Sequence, residues 1–267
     1  MKPDLKVISP KKKPKDRTPI LEVRGLTQIF PVHQGFLKVL EDIRITAATG
    51  ELICILGPSG CGKSTLLKVL SGFLPPSAGE VRLNDRKVSR PGPDRCVVFQ
   101  EDALFPWLTV SENITFGLKG KVRDRRAVQR ETDRFLSLVG LAPYRNFLPR
   151  EISGGMKQRV ALARVLILKP QVLLMDEPFA SLDAQAREEM QNLLLSVWEQ
   201  LSHTILFVTH DVMEAVTLAD RILVMDKNPG RIRADIPVAL KRPRHPDEPE
   251  FNRFCRMLHE GLRGQFI

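Results

Sequence analysis

No stretch of this sequence approaches the roughly 18 consecutive apolar residues of a membrane-spanning helix, so a role at a membrane would call for a second protein. The opening residues, MKPDLKVISPKKKPKDRTP, lack the apolar centre of a secretory signal, and the chain is expected to stay in the cytosol. Cysteine is scarce. Cys54, Cys61, Cys96 and Cys255 form no C-x-x-C pair and stand near no histidine at zinc-finger spacing, so a disulfide framework and the common zinc modules are excluded. In a reducing compartment the four are small apolar fillers. There is no internal repeat and no long heptad pattern, which argues against solenoids and coiled coils.

What is present is an ordinary globular composition, 43% hydrophobic and 27% charged, over 267 residues. That length suits one α/β domain with a smaller lobe inserted or appended. The net charge is +10, and half of the excess lies in residues 1–19, where Lys2, Lys6, Lys11, Lys12, Lys13, Lys15 and Arg17 face only Asp4 and Asp16. Such a tail attracts nucleic acid or an anionic surface in some proteins. Here Pro3, Pro10, Pro14 and Pro19 favour a solvated extension without regular structure.

Hydrophobic patterning places strands at 21–30, 43–47, 52–56, 97–99, 172–175, 204–209 and 221–225. Helical patterning covers 63–72, 111–118, 123–139, 153–168, 184–201 and 214–219, with Pro143 and Pro149 as breaks. The expected organisation is a basic tail (1–19), an α/β unit (20–235) with a mostly helical insert over about 101–168, and a proline- and arginine-rich C-terminal extension (236–267).

Residues 57–65 read GPSGCGKST, between an apolar strand and a helix, and fit G-x-x-x-x-G-K-[ST]. Glycine lets backbone N–H groups curl around an anion, and the helix N-terminus adds partial positive charge. Gly57, Pro58, Ser59, Gly60, Cys61, Gly62, Lys63, Ser64 and Thr65 are therefore candidate nucleotide-phosphate contacts. Lys63 is expected at the β- and γ-phosphates, Ser64 at Mg²⁺, Thr65 near the α-phosphate, and Cys61 as a spacer. Further on, VLLMDE ends an apolar run in adjacent carboxylates; beside a phosphate loop, Asp176 is suited to hold Mg²⁺ and Glu177 to polarise a water for in-line attack.

With these motifs in place, ISGGMKQR at 152–159 resembles the signature sequence of ABC ATPases. Ser153, Gly154 and Gly155 open an expected helix, and the resemblance implies that they meet the γ-phosphate of ATP held by a second subunit. It also implies roles for Gln100 (VVFQED), which senses metal and attacking water, for Asp183 in a Ser181-Leu182-Asp183 loop crossing the dimer interface, and for His210 (FVTHD), which contacts the γ-phosphate. Phe30 resembles the aromatic that stacks on adenine, with Phe36 as a competitor. Two residues depart from the family pattern: Ile152 replaces the usual leucine, and Met156 stands where glutamine is common.

The segments PGPDRCVVFQEDALFPWLTVSENITFGL and MDEPFASLDAQAR, with the late PGRI and RPR, narrow the resemblance to ATPases of nitrate/sulfonate/taurine-type importers; thiamine-precursor importers share much of the pattern. The implied fold is α/β, a P-loop NTPase core with a helical subdomain and a small antiparallel β subdomain. The implied activity is hydrolysis of ATP with Mg²⁺ by a homodimer on the cytoplasmic face of the inner membrane. Its partners would be permease subunits and, indirectly, a solute-binding protein, with no nucleic acid expected. A soluble ATPase acting on nucleic acid or ribosomes, or a lipid-trafficking ATPase, would carry the same catalytic motifs. Leu104, Phe105, Pro106 and Trp107 form an apolar row after Gln100, read either as a docking groove for a helix of the membrane subunit or as core between the lobes.

Overall fold

The computed structural model describes residues 19–262, apart from 34, 102, 120, 121 and 123. The basic tail thus lies, but for Pro19, outside the described residues. Two sheets organise the rest. One is antiparallel, in the order β2-β1-β4-β5, from β1 (Pro19–Val32), β2 (Gly35–Ala48), β4 (Ala78–Leu83) and β5 (Arg86–Lys87). The other has the order β10-β9-β3-β8-β7-β6. It comprises β3 (Leu52–Leu56), β6 (Arg95–Val98), β7 (Val172–Asp176), β8 (Thr204–Thr209), β9 (Arg221–Asp226) and β10 (Arg231–Pro237). Its strands are parallel except β10, which pairs antiparallel with β9.

The central strands read as unbroken apolar runs because both of their faces are covered. From β3, Leu52, Cys54 and Leu56 enter one core and Ile53 and Ile55 the other. β7 and β8 divide likewise: Leu173, Met175, Ile205 and Phe207 on one face, Val172, Leu174, Leu206 and Val208 on the opposite face. The second face is closed by α1 (Lys63–Ser71) and the antiparallel sheet. The first is closed by α2 (Val110–Thr115), α3 (Arg125–Leu138), α4 (Gly154–Leu166), α5 (Ala184–Leu201), α6 (Val212–Leu218) and α7 (Pro249–Leu262).

Five elements go beyond the sequence expectation, the two-residue β5 among them. β2 starts at Gly35 rather than near residue 43, because its outer half is exposed and carries no alternation. β4 and β10 are half-exposed strands: β10 alternates exposed Arg231, Arg233 and Asp235 with part-buried Ile232, Ala234 and Ile236, and β4 buries only Val81 and Leu83. α7 lies in the segment read only as proline- and arginine-rich: Pro249 opens it, where its missing N–H is harmless, and Phe251, Cys255 and Leu258 bury one face at i, i+4, i+7 spacing. β10 crosses residue 236, so the segment that follows continues out of the main sheet.

Candidate functional site

The residues singled out above come from different strands that end at one edge. Because β3, β8, β7 and β6 are parallel neighbours, their carboxyl ends lie side by side. The loop 57–62 leaves β3, Asp176 and Glu177 end β7, His210 follows β8, and Gln100 lies just past β6. Ligands of open α/β sheets bind at this edge.

The phosphate loop is built by exclusion. A Cβ on Gly57 would stand 2.8 Å from the Met225 carbonyl, and Gly62, at φ 99°, would press one to 2.7 Å from Leu40. Gly62 is also the N-cap of α1 and supplies no side-chain cap, so the first-turn N–H groups of α1 lack a side-chain acceptor there. That arrangement accepts an anion. Lys63 is 4% exposed; its Nζ donates to the carbonyls of Gly57 (2.8 Å) and Pro58 (3.1 Å) and lies 3.5 Å from Glu177 Oε1.

Ser64 Oγ donates to Asp176 Oδ1 at 3.0 Å. Burial pushes the Asp176 carboxyl above its ordinary range, opposed by that hydrogen bond. Glu177 adopts a left-handed backbone, φ 44°, unusual for a residue with a side chain, and its N–H is held by the Val208 carbonyl at 3.1 Å. This aims Oε2 at His210, whose Nδ1 donates at 2.7 Å, the tautomer that a carboxylate partner selects. One carboxylate therefore touches both the lysine of the loop and the histidine of the next strand.

Gln100 is exposed, and its carbonyl accepts from Gln158 Nε2 at 3.0 Å. Ser153 caps α4, accepting from the Met156 N–H at 3.3 Å. With Gly154 and Gly155 it lines a cleft of about 440 Å³ that also holds Ser181, Leu182 and Asp183, but no residue of the phosphate loop and neither Glu177 nor His210. Asp183 caps α5 through the Ala186 N–H at 2.8 Å. Phe30, half-buried on β1, faces Leu37 across the hairpin, while Phe36 near the hairpin tip is 80% exposed. The hairpin reaches the site through Val39 and Leu40, which abut Gly62.

Trp107 is 72% exposed, so it does not fill the core between the lobes; Phe105 beside it is partly buried against Phe116, ring centroids 4.3 Å apart.

Three supporting residues were not legible in the sequence. Gln158 ties the helix that Ser153 opens to the Gln100 backbone. Arg187 donates to the Leu182 carbonyl at 3.0 Å and faces Asp211 at 3.9 Å, joining the 181–183 loop to the residue after His210. Buried Asn113 holds the loop after Gln100 through the backbone N–H and carbonyl of Phe105 and the carbonyl of Leu108. No local pattern marks an ordinary polar residue whose partners are distant or on backbone.

This geometry is that of a P-loop nucleotide site, and comparison with known proteins agrees. Residues 40–180 match the family model for the ABC transporter, and the chain belongs to that family. It is an ATP-binding protein and an ATPase of that class. Among named relatives it is 46% identical to the taurine import ATP-binding protein of Pelagibacter ubique, covering 79% of this chain and 80% of the relative. It is 41% identical to the nitrate import ATP-binding protein of Synechocystis sp., covering 92% and 96%. Among solved structures it superimposes on a dimeric ATP-binding cassette in a post-hydrolysis state with ADP and Pi, at a TM-score of 0.73 and 28% identity, over 83% of this chain and all of that one.

Proposed function

We propose that this chain is the ATP-hydrolysing subunit of an importer, working as a head-to-tail homodimer against permease subunits at the cytoplasmic face of the inner membrane. The observation that carries this reading is Glu177, held between Lys63 and His210 at the edge where the phosphate loop ends β3. In this reading Lys63 exchanges its loop carbonyls for the β- and γ-phosphates, backed by the N–H groups of residues 57–65. Glu177 orients and polarises the attacking water, His210 fixes Glu177 and reaches the γ-phosphate, and Gln100 reports on both. Phe30 stacks on adenine, with Phe36 the other aromatic within the same hairpin.

Mg²⁺ fits the residues present. Ser64 and Asp176 offer a hydroxyl and a carboxylate oxygen 3.0 Å apart, a hard oxygen set of the kind Mg²⁺ shares with nucleotide phosphates rather than a full protein cage. Among the described residues no cluster of three His, Cys, Asp or Glu forms such a cage. Ser64, Asp176 and Gln100 would hold the ion, which when bound neutralises phosphate charge.

The second half of the composite site is Ser153–Gly154–Gly155 of the other copy, with Asp183 crossing the interface. A Cβ on Gly154 would meet nothing within 4 Å among the described residues, so none of them requires glycine there. An approaching ligand does. The helical insert of about 101–168 would carry both this anion site and the surface for the permease. The taurine and nitrate relatives support an importer of small solutes of nitrate/sulfonate/taurine type, delivered by a solute-binding protein. Cargo choice belongs to the other subunits.

The test is Glu177→Gln, which keeps shape and loses the base. It is expected to bind ATP, turn over very slowly, and run as a dimer in size-exclusion chromatography with ATP-Mg²⁺. A variant that stays monomeric and hydrolyses at the normal rate would refute the composite site.

A further inference from the structure

At the amino ends of β6 and β7, opposite the edge that carries the phosphate loop, the surface folds into a cleft of about 870 Å³. Small-molecule sites fall in this size range. Its walls are the β4–β5 hairpin and the segment 88–95, with Gln171 at one end. Four cationic residues line it, Arg86, Lys87, Arg90 and Arg95. The one acid in the lining, Asp94, is already bonded to Arg95 at 2.8 Å.

Elsewhere on the antiparallel sheet the cations are matched: Arg24 with Glu22 and Glu80, Arg44 with Asp42, Arg82 with Glu80. Among the described residues Arg86, Lys87 and Arg90 have no such carboxylate. The ladder even sets Lys87 directly across from Arg82, and like charges in that position destabilise a strand pair. The register is held by Asn84 and Asp85, both left-handed at φ 46° and 60°, as a two-residue type I′ hairpin turn requires. Beneath the rim, Arg95 is only 8% exposed. It donates to the Arg90 carbonyl and to Asp94, yet its buried Nε has no hydrogen-bond partner among the described residues.

The walls are also preformed. Val88 N–H bonds the Val81 carbonyl at 2.8 Å, Arg95 N–H closes a turn onto Gly92 at 3.3 Å, and Pro91 and Pro93 restrict the backbone between them. Little ordering entropy would oppose binding. Concavity, uncompensated positive charge and a rigid frame together favour an anionic guest, and guanidinium groups match the oxygens of phosphate and sulfate. We infer that this cleft binds a small polyanion, a metabolite bearing a phosphate or sulfate group with at least two negative charges, at a site separate from the nucleotide's.

The test is calorimetric titration of inorganic pyrophosphate into the full chain saturated with ADP, so that the phosphate loop is filled. The expected result is one site per chain, weakened by added salt and weakened at least tenfold in Arg86→Glu/Lys87→Glu, with ATPase activity unchanged and a melting temperature equal to or above that of wild type, since Lys87→Glu relieves the like-charge pair with Arg82. If that variant fails to fold, Arg90→Gln takes its place, with a severalfold loss expected. Absence of a site on the ADP-saturated chain, or equal binding by wild type and variant, would overturn the inference. A parallel sedimentation with phosphatidylglycerol vesicles separates a lipid headgroup from a free anion. Charge-dependent vesicle binding that the Arg86→Glu/Lys87→Glu variant loses, without pyrophosphate binding, would overturn the small-anion site and assign the surface to a membrane.

Discussion

Two glycines at the site are glycine for opposite reasons. Gly230, in the β9–β10 turn, would place a Cβ 2.2 Å from the Cys61 carbonyl, so the fold itself forbids a side chain beneath the phosphate loop. Gly154 faces open space. Alanine at Gly154 adopts the helical backbone more readily and removes unfolded-state freedom, worth about 0.4–1 kcal/mol where no strain results. Gly154→Ala should therefore melt at the same temperature as wild type or higher, while ATPase activity falls at least tenfold because the partner's nucleotide meets a methyl group. Differential scanning fluorimetry beside a steady-state phosphate assay checks both halves. Normal activity would remove Gly154 from the composite site.

At the scale of elements, the loop after Gln100 and the terminal helix illustrate two uses of aromatic residues. Asn113 holds the loop and Trp107 lies on the outside, where, in the proposed docking role, an exposed aromatic beside partly buried Phe105 would serve as an anchor for an apolar helix. Trp107→Ala should leave the isolated subunit's melting temperature and basal ATPase intact and weaken assembly with the permease in a pull-down. A destabilised variant that still assembles normally would sink the docking role. Phe251 is the reverse case, 1% exposed where α7 joins the main core. Phe251→Ala should cost about 3–5 kcal/mol as a cavity, read as a drop in the urea midpoint. The apolar spacing of α7 was present in the sequence but lay among prolines and arginines that read as irregular chain. Arg242 and Arg244 instead serve the packing: Arg244 donates to the carbonyls of Val216 and Ala219 at the end of α6, and burial lowers its pKa to about 10.

At the scale of the whole molecule, the site exists because four parallel strands end together, so binding at the edge is linked to stability of the sheet. A ligand that binds only the folded chain stabilises it by about 2.7 kcal/mol at 100 times its Kd. ATP-Mg²⁺ should thus raise the melting temperature of wild type. Lys63→Ala, without the side-chain cation expected at the β/γ-phosphates, should lose that rise and its ATPase activity at the same ATP concentration. An undiminished thermal shift in Lys63→Ala would place the nucleotide elsewhere.

The sequence alone determined the phosphate loop, the paired carboxylates after an apolar strand, and the central strands and long helices. Each is a contiguous pattern whose chemistry is complete within a few residues: glycines, lysine and hydroxyl in one loop, or an unbroken run where both faces are buried. Only the tertiary structure decided that Glu177 is shared by Lys63 and His210, that Gln158 and Arg187 brace the loops around them, and that Trp107 is outside the core. It also decided where β4, β10 and α7 belong. Those outcomes depend on which distant segments the sheets bring together: the alternation of β10 and the apolar spacing of α7 are present in the sequence, but only pairing with β9 and packing on the main core decide what those faces cover.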